Sequence, residues 1–202
     1  MPVVLKSSMR TEKLIEAATK LFARQGYHGT STRQIAHLAG VGENTLFRQF
    51  NHKEDLFWSA LHYHASGFKF CRDLMDGLTQ CDSPQVVLPK ILDLLTEMAS
   101  YKPELLRLIV IAFLELHWKA DAFSNEYLSP GLVQISQYLE TNIEQGKLRR
   151  VDPGILTTAL MMTTFVHPGV SRLIDRNRSL HHGSPEAGRT YSRFWLALLA
   201  PG

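Results

Sequence analysis

Cysteine is nearly missing from this chain. Cys71 and Cys81 are the only two in 202 residues, too few for a disulfide framework and suited to a reducing compartment. The nine prolines and thirteen glycines are scattered, which excludes a collagenous or low-complexity chain. Long apolar runs are also lacking. The longest uncharged stretch, Pro153–Ser171, holds four threonines, a serine, a histidine and two prolines, and reads as a buried soluble helix. Met1–Leu5 has neither a basic start nor a long apolar run, so no secretory signal is expected. No segment alternates convincingly with period two, so strands are not expected either.

Catalytic signatures are equally scarce. None of the nine histidines has an acid three residues before it, as a carboxylate-bridged di-iron bundle would need. Neither His-Glu-x-x-His nor Gly-x-Ser-x-Gly occurs. His62 and His64, two apart on a helix, point to different sides and make a poor chelating pair. We therefore expect no enzyme, no metal and no cofactor.

What is present is helical periodicity in a composition of 45% apolar and 20% charged residues. Leu14, Ala18, Leu21 and Phe22 give one apolar face to a helix ended by Gly26. Ser31-Thr32-Arg33-Gln34 reads as a capping box that opens a short helix burying Ile35, Ala36 and Ala39. After Gly40-Val41-Gly42, a third short helix carries Leu46, Phe47 and Phe50. Asn51 and Glu54 suggest a second capping box for a longer fourth helix. Further starts fall at Ser83-Pro84, Pro103, Asp152-Pro153 and Ser184-Pro185. One stripe is expected to run through Ile155, Ala159, Met162, Val166, Val170 and Leu173, with Pro168 kinking or ending its first segment. The expectation is an all-α chain of about nine helices, with residues 1–53 as a three-helix domain and 54–202 as a larger helical domain.

Charge is uneven along that plan. Residues 1–53 hold eight Lys and Arg against three acids, a net +5, which leaves −2 for the remaining 149 residues of a chain whose total is +3. A basic end on a slightly acidic body suits a polyanion. Two short helices joined by Ala39-Gly40-Val41-Gly42 have the lengths and turn glycine of a helix-turn-helix, whose second helix enters the major groove.

Gly26-Tyr27-His28-Gly29-Thr30-Ser31-Thr32, Ile35-Ala36, Ala39-Gly40-Val41, Thr45-Leu46-Phe47, Phe50 and Lys53-Glu54-Asp55-Leu56 closely resemble the N-terminal domain of TetR-family transcriptional regulators. The likeness spans roughly Thr11 to Leu61; beyond it only helix number and length agree. It implies a cytoplasmic bacterial homodimer, usually a repressor, that binds a palindromic operator on the nucleoid and is released by a small ligand. Four positions depart from the pattern. Gly42 stands where a polar cap is common, and Asn44 where Gly or Pro is frequent. Phe47 replaces a phosphate-bonding Tyr, and Gln49 a Tyr or His.

Thr30, Ser31 and Thr45 offer hydroxyls and helix-start amides to a phosphate. The resemblance makes Lys53 a phosphate contact and Arg33 a base reader, able to take guanine O6 and N7. Glu43 and Asn44 begin the reading helix; Arg48 and Gln49 flank its far end. Arg33 and Arg48 touch either bases or phosphate only, and Glu43 is either a base reader or a solvated acid. Lys6 and Arg10 form either a backbone-tracking arm or a frayed tail.

Useful specificity from so small a reading unit requires two copies. Met162, Val166, Val170, Trp195, Leu198 and Leu199 are the expected four-helix interface, with closure of the monomer core as the alternative. Trp58, Phe68, Met98, Ile109, Phe113, His117, Trp118, Phe123, Met161, Met162 and Phe165 are candidate walls of a pocket for an apolar or aromatic effector. The competing function is a helical dimer that binds a small molecule or protein without productive DNA binding.

Overall fold

The computed structural model describes residues 9–78, 83–101, 103–166 and 185–201; side chains are described within these except at 66–78, 97–101, 165–166 and 185–187. Among the described residues every regular element is helical. The helices are α1 (Met9–Gln25), α2 (Thr32–Leu38), α3 (Glu43–Phe47), α4 (Lys53–Leu78), α5 (Pro84–Tyr101), α6 (Pro103–Glu115), α7 (His117–Phe123), α8 (Ser129–Glu144), α9 (Pro153–Met161) and α10 (Pro185–Leu199). π-helical turns join α7 to α8 over Ser124–Leu128 and extend α9 over Met162–Val166. The all-α expectation holds.

The chain divides into two compact units, Met1–Ser66 with Arg107–Ala120, and Gly67–Leu106 with Asp121–Gly202. In the first, α1 buries Leu14, Ile15, Ala18 and Phe22. Gly26 stops it at φ 77°, a backbone state that costs an L side chain about 1–2 kcal/mol. The Ser31 hydroxyl accepts the Gln34 amide at 3.2 Å, and the Gln34 side chain accepts the Ser31 amide at 2.9 Å, so the expected capping box is present. Gly40, at φ 68°, turns the chain so that the Val41 amide reaches the Ala36 carbonyl at 3.0 Å. Ile35, Ala36, Leu46 and Phe50 close the corner. Phe22 meets Phe57 edge-on at 5.2 Å, and Tyr27 lies 5.7 Å from Phe57, pinning the α1–α2 turn to α4. Each fully buried phenylalanine there contributes roughly 1.5–3 kcal/mol.

The second expected capping box is not formed. Asp55, not Glu54, reaches back at the start of α4, accepting the His52 amide at 3.0 Å. Glu54 turns elsewhere, as described below.

The core of the second unit gathers Val87, Leu88, Ile91 and Leu92 of α5, Ile135, Tyr138 and Leu139 of α8, Leu148 of the connection that follows it, Leu156 and Leu160 of α9, and Trp195 and Leu199 of α10. Asp152 caps α9 by accepting the Ile155 amide at 2.8 Å, as its position before Pro153 implies. The stripe expected from Ile155 to Met162 is exposed at both of these residues, while Ala159 between them packs partly against the core and Leu156, Thr157 and Leu160 point in. Helical spacing fixes which residues share a face but not which face is buried, and α9 is apolar on both. Thr163 adds a local cause for the π turn. Its hydroxyl bonds back to the Ala159 and Leu160 carbonyls and receives the Trp195 indole at 3.2 Å, competing with regular i to i−4 pairing.

Candidate nucleic-acid interface

The described basic residues of the first segment are spread over α1, α2, the residue after α3 and the start of α4, and the side chains around α2 and α3 separate into two sets. One set is held by the fold. Thr30, only 2% exposed, donates its hydroxyl to the Gly26 carbonyl at 2.8 Å, so it closes the turn and offers no hydroxyl to a phosphate. The Ser31 hydroxyl is committed to the cap. Glu43 accepts from the Thr32 hydroxyl at 2.8 Å, tying the starts of α2 and α3 together. Gln49 accepts from the Thr11 hydroxyl at 3.0 Å, fixing the segment after α3 to α1.

Lys53 is the largest revision in this set. Its ammonium donates to the Tyr27 carbonyl at 2.9 Å and the Thr30 carbonyl at 3.0 Å, and lies 4.2 Å from the centre of the Tyr27 ring. Burial lowers its pKa, opposed by the Glu115 charge. The same burial, with Glu54 and Asp55 nearby, raises that of Tyr27. Two of three N–H donors are spent on the turn, so Lys53 acts first as a strut.

The other set faces solvent. Arg33 on α2, Asn44 on α3 and Arg48 just after it are exposed, and among the described residues their side chains make no hydrogen bond or ion pair. Phe47 is 46% exposed; Thr45 is half-buried. Asn44, Phe47 and Arg48 stand at i, i+3 and i+4, one stripe, while Leu46 between them is fully buried. The Thr32 bridge and exposed His37 and Leu38, which sequence reasoning passed over, lie on α2. Only their place on a short polar helix hinted at them.

A second cluster in this unit centres on Glu54. Its Oε1 accepts from Lys119 at 2.8 Å, Trp58 at 3.2 Å and Trp118 at 3.3 Å. The Lys119 bond is the main cause of its lowered pKa. Nearby, Glu115 accepts the His28 amide at 3.1 Å, and a Cβ on Gly26 would lie 2.9 Å from its Oε1. Arg107 donates to the Ala23 carbonyl at 3.5 Å. Residues 107–120 thus grip both the α1–α2 turn and α4. The Glu54–Trp58 contact had an i, i+4 signal; the Glu115 and Lys119 contacts, far away in sequence, had none.

Of the expected pocket walls, Trp58 and Trp118 are brought together on Glu54, but Trp118 is 57% exposed, and Phe113 and His117 also face solvent. Ile109 is core. In the second unit Phe123 is buried and stacks on Tyr127 at 5.0 Å, and Met161 packs partly against the core. The side chains of Phe68, Met98 and Phe165 lie outside those described. The interface set also divides. Trp195 and Leu199 are core residues, a correction that follows from their 3.6-residue phase with Ser192 and Gly188, also buried. Met162, 55% exposed, and Leu198, 44% exposed, face outward, joined by Ile155 and Phe194. The Val166 side chain and all of Val170 lie outside the described residues. Among the described residues no group of three His, Cys, Asp or Glu is placed to hold a metal, and no helix is long and apolar enough to cross a membrane.

Residues 14–60, which hold α1–α3 and the start of α4, match the family of bacterial regulatory proteins called tetR. The chain carries a TetR-family N-terminal domain. The transcriptional repressor AcnR of Corynebacterium diphtheriae is 37% identical over 59 residues, 28% of this chain and 31% of that protein. The chain covers about three-tenths of the length of the sequence relatives it first matches. The whole TetR-like fold extends further. The ketosteroid transcriptional regulator KstR2 of Mycobacterium tuberculosis superposes with a TM-score of 0.75 at 20% identity, covering 98% of both chains. FadR of Bacillus subtilis, solved with stearoyl-CoA, gives 0.64 at 19% identity over 93% of this chain and 98% of that one. At such identities the likeness concerns the fold.

Proposed function

We propose that this chain is a transcriptional regulator that binds duplex DNA through α2 and α3, acts as a homodimeric repressor on a palindromic operator, and is released by a small apolar ligand. The observation that carries the reading is the solvent-facing set Arg33, Asn44, Phe47 and Arg48, inside the family-matched segment and on the only strongly basic quarter of the chain. Two arginines supply phosphate or guanine contacts, and an amide suits adenine. The division of labour is 1–53 for reading and 54–202 for pairing and ligand binding. Support for pairing comes from exposed Ile155, Met162, Phe194 and Leu198 on helices whose opposite faces build the second core. FadR, of the same fold, was solved with stearoyl-CoA, whose acyl chain is apolar, and this supports an effector with an apolar part.

Selection of bound duplexes from a random pool tests the reading. It should return an inverted repeat whose half-sites are about one helical turn apart or a multiple of it. Recovery of no enriched duplex at low salt overturns it, and an unpaired half-site removes the dimer.

A further inference from the structure

We infer that Phe47 senses the 5-methyl group of a thymine in each half-site. The inference rests on the DNA-reading function proposed above and specifies what one side chain of that site recognises.

Phe47 is the only exposed aromatic residue of α1–α3 among the described residues; Phe22 and Phe50 are buried and Tyr27 is half-buried. It makes no ring contact among those residues. Leu46 fills the corner of the helix pair, and nearly half of the Phe47 surface is left open to solvent. The ring carries no donor or acceptor, and a phosphate gives it nothing to bind. In the major groove the one apolar feature on a base edge is the methyl of thymine. The neighbours on the stripe agree with that choice. Asn44, one turn earlier, has an exposed amide whose natural partner is the N6/N7 edge of adenine, the base opposite thymine. Arg48, adjacent, brings positive charge toward the same groove. Glu43, the acid that would have favoured cytosine, is held by Thr32. α3 is therefore built to prefer A·T pairs where Asn44 and Phe47 meet the duplex.

The test uses the full-length protein and a duplex recovered by the selection above, with each thymine replaced in turn by deoxyuridine, which differs only by the methyl. One position per half-site should weaken wild-type binding roughly fourfold, the effect of leaving one methyl group in water. Phe47→Ala should bind the thymine and uracil duplexes equally at that position, and Phe47→Leu should keep part of the difference. Wild-type binding that ignores every uracil substitution overturns the inference while leaving the regulator intact. A uracil effect that persists unchanged in Phe47→Ala overturns it too. If no duplex is retained at low salt, the regulator itself is overturned and the thymine assignment with it.

Discussion

The two units treat surplus side chains in opposite ways. In the first, polar groups that look free for a ligand are held within the unit: Thr30, Ser31 and Lys53 by backbone groups, Glu43 and Gln49 by the Thr32 and Thr11 hydroxyls. In the second, apolar groups that look destined for a core are split by helical angle, with Leu160 and Trp195 inside and Met162 and Leu198 outside. The difference follows from what each segment leaves unpaired. The turn between α1 and α2 leaves the Gly26, Tyr27 and Thr30 carbonyls and the first amides of α2 without helical partners, and nearby side chains serve them. A helix like α9, apolar all round, has no such debt and can offer two faces.

The sharpest way to break this contrast is a pair of substitutions two residues apart. Leu160→Ala should cost about 2–5 kcal/mol, whereas Met162→Ala should change the stability of a single subunit by no more than about 0.5 kcal/mol. Urea unfolding at low protein concentration measures both; similar losses would erase the inward-outward division. Next in size is Lys53→Met, which strands the Tyr27 and Thr30 carbonyls. It should destabilise the first unit by about 1–3 kcal/mol, read by amide exchange in α1 and α2. An unaffected unit would return Lys53 to the role of a free phosphate ligand.

Gly26→Ala forces an L side chain into a positive φ, and should cost about 1–2 kcal/mol in the same measurement. The Glu115 carboxylate, at the end of a flexible side chain, can move aside. The smallest effect is that of pH. The Glu54 carboxyl is held below its usual pKa, first by the Lys119 hydrogen bond. Its contribution is complete above the ordinary carboxylate pKa and is lost as pH falls through that range and toward the lower folded value. Thermal unfolding should therefore show a smaller acid-side loss in Glu54→Gln than in wild type; parallel curves would deny the cluster a stabilising role.

How much of this was readable beforehand depended on distance along the chain. The Ser31–Gln34 box, the Gly26 and Gly40 stops and the Asp152 cap are local, and residue type with spacing specifies them. The candidate interface was legible in part: Arg33, Asn44, Phe47 and Arg48 are exposed, as a contact with DNA requires. Lys53 and Gln49 were not, because their partners at Tyr27, Thr30 and Thr11 are 23 to 38 residues away. Asn51 and Glu54 have the spacing of a cap, and only the folded unit brings in Lys119, 65 positions later. The orientation of α9 was hidden for a different reason. Its two apolar faces look alike in sequence, and only its neighbours α5, α8 and α10 choose between them.

The central claim is that the solvent-facing side chains of α2 and α3, not those held inside the unit, meet DNA. The most direct measurement is the salt dependence of binding to a selected duplex by wild type and by Arg33→Ala/Arg48→Ala. The slope of log affinity against log salt should be shallower by about one to two in the double variant, with its thermal stability unchanged. An identical slope in the two proteins would contradict the claim.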